Sequence, residues 1–261
     1  MNPPFTFIKT FLVSITLLCA NSLSYAQTVV TLAAASDLKF ALEEVASQYQ
    51  KNTGKNIQLI FGSSGNFYSQ ILQGAPFHIF MSADENFVFK LHSAGKTQDK
   101  GRLYALGRIG IMVPKGSSLK ADSQLKDLSA ALQDGRLKKF AIASPEHAPY
   151  GMRAKEALQY SGLWPAIESK LVIGENISQA AQFATSGSTE GGIIAYSLAL
   201  APQVAKLGDF ALIPQNWHQP LAQRMVLLKN APPAAAEFYH FIASPQAQTI
   251  MVKYGFVMPA Q

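Results

Sequence analysis

Four short segments of this chain combine small and hydroxyl-bearing residues in a way suited to holding an anion. They are Ala35-Ser36-Asp37, Ser63-Ser64-Gly65-Asn66, Ala148-Pro149-Tyr150-Gly151 and Glu175-Asn176-Ile177. Each stands where a β-rich run passes into a helical period. A helix N-terminus presents free N–H groups and a partial positive charge. Ser36 and Ser64 add hydroxyls whose protons rotate to meet an acceptor. None of the four segments contains Lys or Arg; Lys39 and Arg153 lie just inside the following helices. An anion there would be held by neutral donors, at ~1.5–3 kcal/mol for each hydrogen bond to a charged group. The plainer explanation of any one segment is helix capping, since Ser and Asn are preferred N-caps and Pro suits a first turn. Recurrence at four helix starts is what points to a site.

Catalytic motifs do not accompany them. Gly62-Ser63-Ser64-Gly65 and Gly187-Ser188-Thr189-Glu190-Gly191 both miss the Gly-x-Ser-x-Gly spacing of a nucleophile elbow. There is no His-Glu-x-x-His, no phosphate-binding Walker loop and no Gly-x-Gly-x-x-Gly. The five histidines, His78, His92, His147, His218 and His240, are scattered singly, which disfavours a zinc site. His147 beside Glu146 could act as a general base, but it more simply shapes the turn into Pro149.

The elements that must position the four segments alternate strand and helix. Val29–Leu32 reads as a strand, and Leu38, Ala41, Leu42, Val45, Ala46 and Tyr49 recur with helical period up to a stop at Gly54. Strands are expected at Ile57–Phe61 and Ile79–Met81, with helices around Ile71 and Val88. Leu103–Val113 is a long apolar stretch, broken by Gly107 and Gly110, that reads as two strands or one crossing strand. Further strands are expected at Lys138–Ala143, Leu171–Ile173, Gly191–Ala195 and Arg224–Leu228. Helices are expected at Tyr150–Tyr160, around Ile177–Ala184, and at Ala234–Ile242 and Pro245–Tyr254. This rhythm implies α/β architecture: two lobes, each a mostly parallel sheet flanked by helices, joined by two hinge crossings near 105 and 223. The expected division is 27–105 for the first part of lobe 1, 106–223 for lobe 2 and 224–261 for the segment returning to lobe 1. Ligands of such sheets bind outside the carboxyl ends of the strands, where all four segments fall.

The chain has 261 residues, 48% of them apolar, ample for a packed core and far from disordered composition. Its net charge of +6 comes without the basic blocks of nucleic-acid binders. Lys9 is the only charge in residues 1–26, Phe11–Ala20 is a stretch of ten that is apolar but for Ser14 and Thr16, and Ser24-Tyr25-Ala26 has the small-x-small pattern of a signal-peptidase site. We expect a signal peptide over 1–26 and cleavage after Ala26. The alternative, lipidation at Cys19, is weakened by Leu18, where a small residue is usual. Cys19 is the one cysteine, so the mature chain has none, which suits an oxidising compartment.

With these runs in hand, the sequence resembles the periplasmic molybdate-binding proteins of ABC transporters, a family of type II solute-binding proteins. The resemblance is carried by Ala33-Ala34-Ala35-Ser36-Asp37-Leu38, Gly62-Ser63-Ser64-Gly65, Gln73-Gly74-Ala75-Pro76, Ser82-Ala83-Asp84, Pro145-Glu146-His147-Ala148-Pro149-Tyr150-Gly151, Gly174-Glu175-Asn176-Ile177 and Tyr254-Gly255-Phe256. These are spread over the mature chain in the family's order.

The resemblance implies a two-lobed periplasmic protein that binds molybdate or tungstate and delivers it to a membrane permease by hinge closure. It implies no catalysis, no cofactor, no protein-ligated metal, no nucleic-acid partner and a monomer. Ser36 and Ser64 would donate hydroxyl and amide from the first lobe, with the Asp37 amide beside them; Tyr150 and Ile177 would donate backbone N–H from the second. Tyr150→Phe should then be nearly silent. Tyr196 is a further candidate, one residue out of register with a tyrosine of some relatives. His78 stands where the family usually has Asp, as a strand-edge residue or a pH-sensitive group in the cleft. The Asp37 carboxylate is expected to point away from the anion, toward its own helix N–H groups. Phosphate keeps a proton that Asp37 could accept, so phosphate or sulfate binding stays open, as does a sensory receptor in place of the permease.

Overall fold

The structure, a computed structural model, describes residues 29–259; the expected signal peptide and Cys19 lie outside the described residues. The strands are β1 (Val30–Ala35), β2 (Ile57–Gly62), β3 (Ile79–Ser82), β4 (Arg102–Gly107), β5 (Ile109–Pro114), β6 (Phe140–Ala143), β7 (Leu171–Gly174), β8 (Gly191–Ala195), β9 (Gly208–Leu212) and β10 (Leu221–Leu227). The helices are α1 (Lys39–Thr53), α2 (Ser64–Leu72), α3 (Glu85–Ser93), α4 (Lys126–Gln133), α5 (Pro149–Tyr160), α6 (Trp164–Ile167), α7 (Ile177–Thr185), α8 (Tyr196–Ala199), α9 (Pro202–Ala205), α10 (Pro233–Ile242) and α11 (Pro245–Lys253). Ser36–Leu38 forms a single 3-10 turn before α1.

Two five-stranded sheets result, ordered β2-β1-β3-β10-β4 and β7-β6-β8-β5-β9. Both are mixed. In the first, β2, β1 and β3 pair parallel, and β10 runs antiparallel to both β3 and β4. In the second, β7, β6 and β8 pair parallel, and β5 runs antiparallel to β8 and β9. Four strands of each sheet therefore share a direction, and the reversed one is in each case the first strand after a crossing. The three-strand parallel blocks carry the site: their carboxyl ends lead into the helix starts that face the other lobe.

The apolar stretch over 103–113 is two strands, split at Arg108, where the chain leaves one sheet for the other. The return lies within 213–220, since all of β10 belongs to the first sheet. Both changes of sheet thus fall a few residues away from the expected boundaries at 105 and 223. Neither β9 nor α4 was expected from the sequence. β9 is a short edge strand with one paired side and no strong alternation, and α4 buries only Leu128 and Ala131.

Local rules account for the expected elements. The residues of β1, β3, β6 and β8 are nearly all buried, the continuous apolar reading of strands covered on both faces. α1 buries Ala41, Leu42, Val45 and Tyr49 on one stripe and ends at Gly54, whose φ of 71° is the left-handed cap glycine tolerates. One apolar cluster fills the second lobe and two cover the faces of the first sheet. The second-lobe cluster also takes in Ala35, Ala83 and Leu221 from the first, so the lobes pack against each other.

Candidate functional site

All four segments meet at one small cavity between the lobes. Ser36, Asp37, Ser64, Tyr150 and Ile177 line it together with small residues including Gly62, Ala83 and Ala148. Ser36, Asp37, Ser64, Tyr150 and Ile177 are each at most 3% exposed. No Lys or Arg lines the cavity.

Which donors remain available there follows from the first turn of each helix. In α2 the Ser63 side chain is the N-cap and accepts from Asn66 N–H, Gly65 N–H donates to His147 O, and Phe67 N–H to Ser63 O. The Ser64 amide is the one left over. In α7 Asn176 Oδ1 accepts from Ser178 and Gln179 N–H and its carbonyl from Ala180, which leaves the Ile177 amide. In α5 Pro149 has no N–H and Met152 donates to Ala148 O, leaving the amides of Tyr150 and Gly151. Ser64 Oγ accepts from Ala83 N–H at 3.0 Å, so its own proton is free to donate. Capping and donation are therefore separate tasks here: Ser63 and Asn176 cap, while Ser64 and Ile177 stand one residue later with donors to spare.

Ser36 differs from that pattern. Its hydroxyl donates across the cleft to Asn176 Oδ1 at 3.1 Å and accepts from Ser178 N–H at 3.2 Å. Ser178 Oγ in turn donates to Ser36 O at 2.8 Å. The Ser36 side chain thus joins the lobes instead of facing the cavity as a free donor.

The Asp37 carboxylate engages side chains of other elements through Oδ2. Oδ2 accepts from Tyr150 OH at 2.9 Å, from the opposite lobe, and from Gln223 Nε2 at 2.7 Å, on β10. Gln223 Oε1 accepts from Tyr104 OH at 2.7 Å. The amides of Asp37 and Leu38 favour the charged form, yet neither bonds Oδ1, which has no partner. Burial dominates and raises the carboxyl from its ordinary 3.8 to about 7, against the lowering by Gln223 and Tyr150. Burial likewise pushes the Tyr104 and Tyr150 phenols well above their usual value, so both stay protonated. Gly107 makes the cluster possible: a Cβ there would lie 2.4 Å from Tyr150 OH and 2.7 Å from Gln223 Nε2. The Tyr150 phenol is therefore engaged by Asp37 and Gln223, a contact that the expectation of a silent Tyr150→Phe did not include.

Sequence reasoning missed several contacts across the cleft. His147 Nδ1 pairs with Ser63 Oγ at 3.0 Å, and its carbonyl takes the Gly65 amide at 2.9 Å. A Cβ on Gly65 would sit 2.6 Å from that carbonyl oxygen. Asn66 Nδ2 donates to Glu175 Oε1, and Ser197 Oγ to Asp37 O. His147 thus bridges the lobes instead of merely shaping a turn. The structure does not bring Tyr196 into the cavity: its amide donates to Arg108 O at 2.9 Å and its ring stacks on Phe210. His78 sits at a strand edge, its Nδ1 accepting from Thr31 N–H at 3.0 Å, and burial lowers its pKa.

Residues 30–257 match the family described as bacterial extracellular solute-binding protein. The chain is 36% identical to molybdate-binding protein ModA of Rhodobacter capsulatus over 87% of this chain and 88% of that one. It is 34% identical to molybdate-binding protein ModA of Azotobacter vinelandii, over 87% and 89% respectively. The solved periplasmic molybdate-binding protein of Azotobacter vinelandii superposes with a TM-score of 0.81 at 28% identity, covering 88% of this chain and all of that one.

Proposed function

This chain belongs to the bacterial extracellular solute-binding protein family, and we propose that it binds molybdate or tungstate between its lobes and hands it to the permease of an ABC transporter. The observation that carries the reading is the convergence of neutral donors from both lobes on one cavity without a cation. The Ser64 hydroxyl and amide come from the first lobe, the Tyr150 and Ile177 amides from the second. The amides of Ser36 and Asp37 complete the set.

Mechanism follows from that division. In an open form, with the lobes apart, the first-lobe donors meet the oxyanion alone. Closure adds the second-lobe amides, so the ligand favours the closed form by its extra bonds there and shifts the population toward it. The permease would read the closed form. No bond of the anion is made or broken, no cofactor takes part, and a monomer suffices. Two extracellular features complete the reading: residues 1–26 act as a signal peptide cleaved after Ala26, and the mature chain works in the periplasm. The relatives named as molybdate-binding support this choice of oxyanion.

A second reading rests on Asp37 Oδ1, the cavity-lining carboxylate's unpartnered oxygen. Ionised, it is an acceptor suited to an oxyanion that keeps a proton, such as phosphate. Titration calorimetry of the mature protein, freed of anion, with molybdate, tungstate, sulfate and phosphate separates the two. Tight one-to-one binding of the first two with silence for the others is the expected result. Binding of phosphate alone would move the function to that anion, and silence for all four would overturn both readings.

A further inference from the structure

One cross-cleft contact lies outside the cavity and is charged. Arg153 on α5 donates through Nη2 to Asp84 Oδ2 at 3.0 Å, joining the second lobe to the first. Their side chains are 10% and 11% exposed. Arg153 Nη1 also reaches Glu156 Oε1 at 2.6 Å, and Glu156 Oε2 accepts from Gln219 N–H at 2.7 Å, within the 213–220 crossing. On the other side, Asp84 Oδ1 caps α3 by accepting from Asn86 N–H at 2.9 Å. One guanidinium thus ties a helix start of lobe 1 to the body of α5, where Glu156 in turn holds the crossing. Neither Arg153 nor Asp84 lines the cavity.

Position along α5 gives the contact its significance. Arg153 stands three residues after Tyr150, on the same face of the helix, so fixing its head group against Asp84 fixes where the Tyr150 amide points. A buried ion pair contributes little net energy, because desolvation offsets attraction, but removing one partner leaves an uncompensated buried charge. The pair spans the two lobes, so moving them apart would break it. We propose that Arg153 and Asp84 are positioning residues that form an interlobe latch: they set the closed angle, and so the reach of the second-lobe amides, without touching the ligand. The latch rests on the proposed oxyanion reading for its ligand and on the cross-cleft geometry for its existence.

The test uses Asp84→Asn, which keeps an acceptor for the α3 cap, Arg153→Met, which keeps the apolar stem, and the double variant. Each is titrated with molybdate, and the interlobe distance is read between spin labels on Gln70→Cys in α2 and Gln159→Cys in α5. Each single variant is expected to bind molybdate more weakly, about 10- to 100-fold for Arg153→Met, which strands Asp84 in the closed form, and several-fold for Asp84→Asn, in which Arg153 keeps Glu156. Its molybdate-loaded distance distribution should be longer and broader, with the melting temperature of the anion-free protein unchanged. The double variant, in which position 84 no longer carries a buried charge, should recover most of the affinity lost in Arg153→Met and keep the broad distribution. Wild-type affinity and distance in the single variants would overturn the latch. So would a loss of melting temperature with affinity and distance intact, which marks a packing role alone. If wild type ignores molybdate while the single variants still lengthen the ligand-free distance, the latch stands and the oxyanion reading fails.

Discussion

The two polar layers that join the lobes are built from different chemistry. At the cavity, Ser36, Asn176, Ser178 and the Asp37–Tyr150–Gln223 cluster meet through hydroxyls, amides and one half-neutral carboxyl. Beside it, Arg153 and Asp84 meet as full charges. A cation in the cavity would attract any anion at long range and in either lobe arrangement. Neutral donors act only at hydrogen-bond distance and only when converged, so they make binding depend on closure and on ligand shape. The charged pair does not line the cavity, and in the proposed latch it defines geometry alone.

The largest effect on this contrast should come from blocking the approach of the lobes. Gly65→Val places side-chain atoms against the backbone of His147, which cannot yield as a flexible side chain would. Calorimetric affinity for molybdate should fall by ~3 kcal/mol, the upper range for overpacking. Wild-type affinity would show that closure does not bring these two backbones together. Next comes the neutral layer itself. Ser64→Ala removes a hydroxyl donor to a charged ligand and should cost ~1.5–3 kcal/mol of binding. An unchanged affinity would remove Ser64 from the site. Tyr150→Phe takes a donor from buried Asp37 Oδ2 and one interlobe bond, and should cost ~1–2 kcal/mol in the same titration.

A smaller effect separates the layers by pH. Burial raises the Asp37 carboxyl from its ordinary 3.8 to about 7, so if an open form exposes it, closing takes up a proton between those values. Above about 7 both forms are ionised, and below 3.8 both are protonated, so neither range shows a dependence. Affinity should therefore rise as pH falls from about 7 toward 4, with proton uptake visible as buffer-dependent heats. Asp37→Asn should flatten that slope; a slope that survives would place the proton elsewhere. The smallest effect is expected at Tyr196, which packs on Phe210 away from the cavity. Tyr196→Phe should leave affinity within ~0.5 kcal/mol, and a larger loss would put the phenol near the ligand.

Local sequence was enough to place most strands, the amphipathic helices and the four helix starts, because each rests on period, caps and turn residues within a dozen positions. It also marked Ser64 and Ile177 without separating them from their neighbours. Ser63-Ser64 reads alike from either residue, and only the first turn of α2 shows that one caps and the other is left with a free proton. β9 escaped notice because a one-sided edge strand needs little alternation.

By its sequence alone this protein is committed to two α/β lobes with neutral donors at the strand ends, since burial and capping act over short stretches of chain. Partners were another matter. Tyr150 with Asp37, Gln223 with Asp37, and Arg153 with Asp84 are 113, 186 and 69 residues apart. Nothing in the local pattern distinguishes a lysine-free turn that faces solvent from one that faces a second lobe. Tertiary structure decided which hydroxyls bridge the cleft, why the Asp37 carboxyl is raised, and which charges meet across the lobes, because burial and geometry are properties of the assembled lobes.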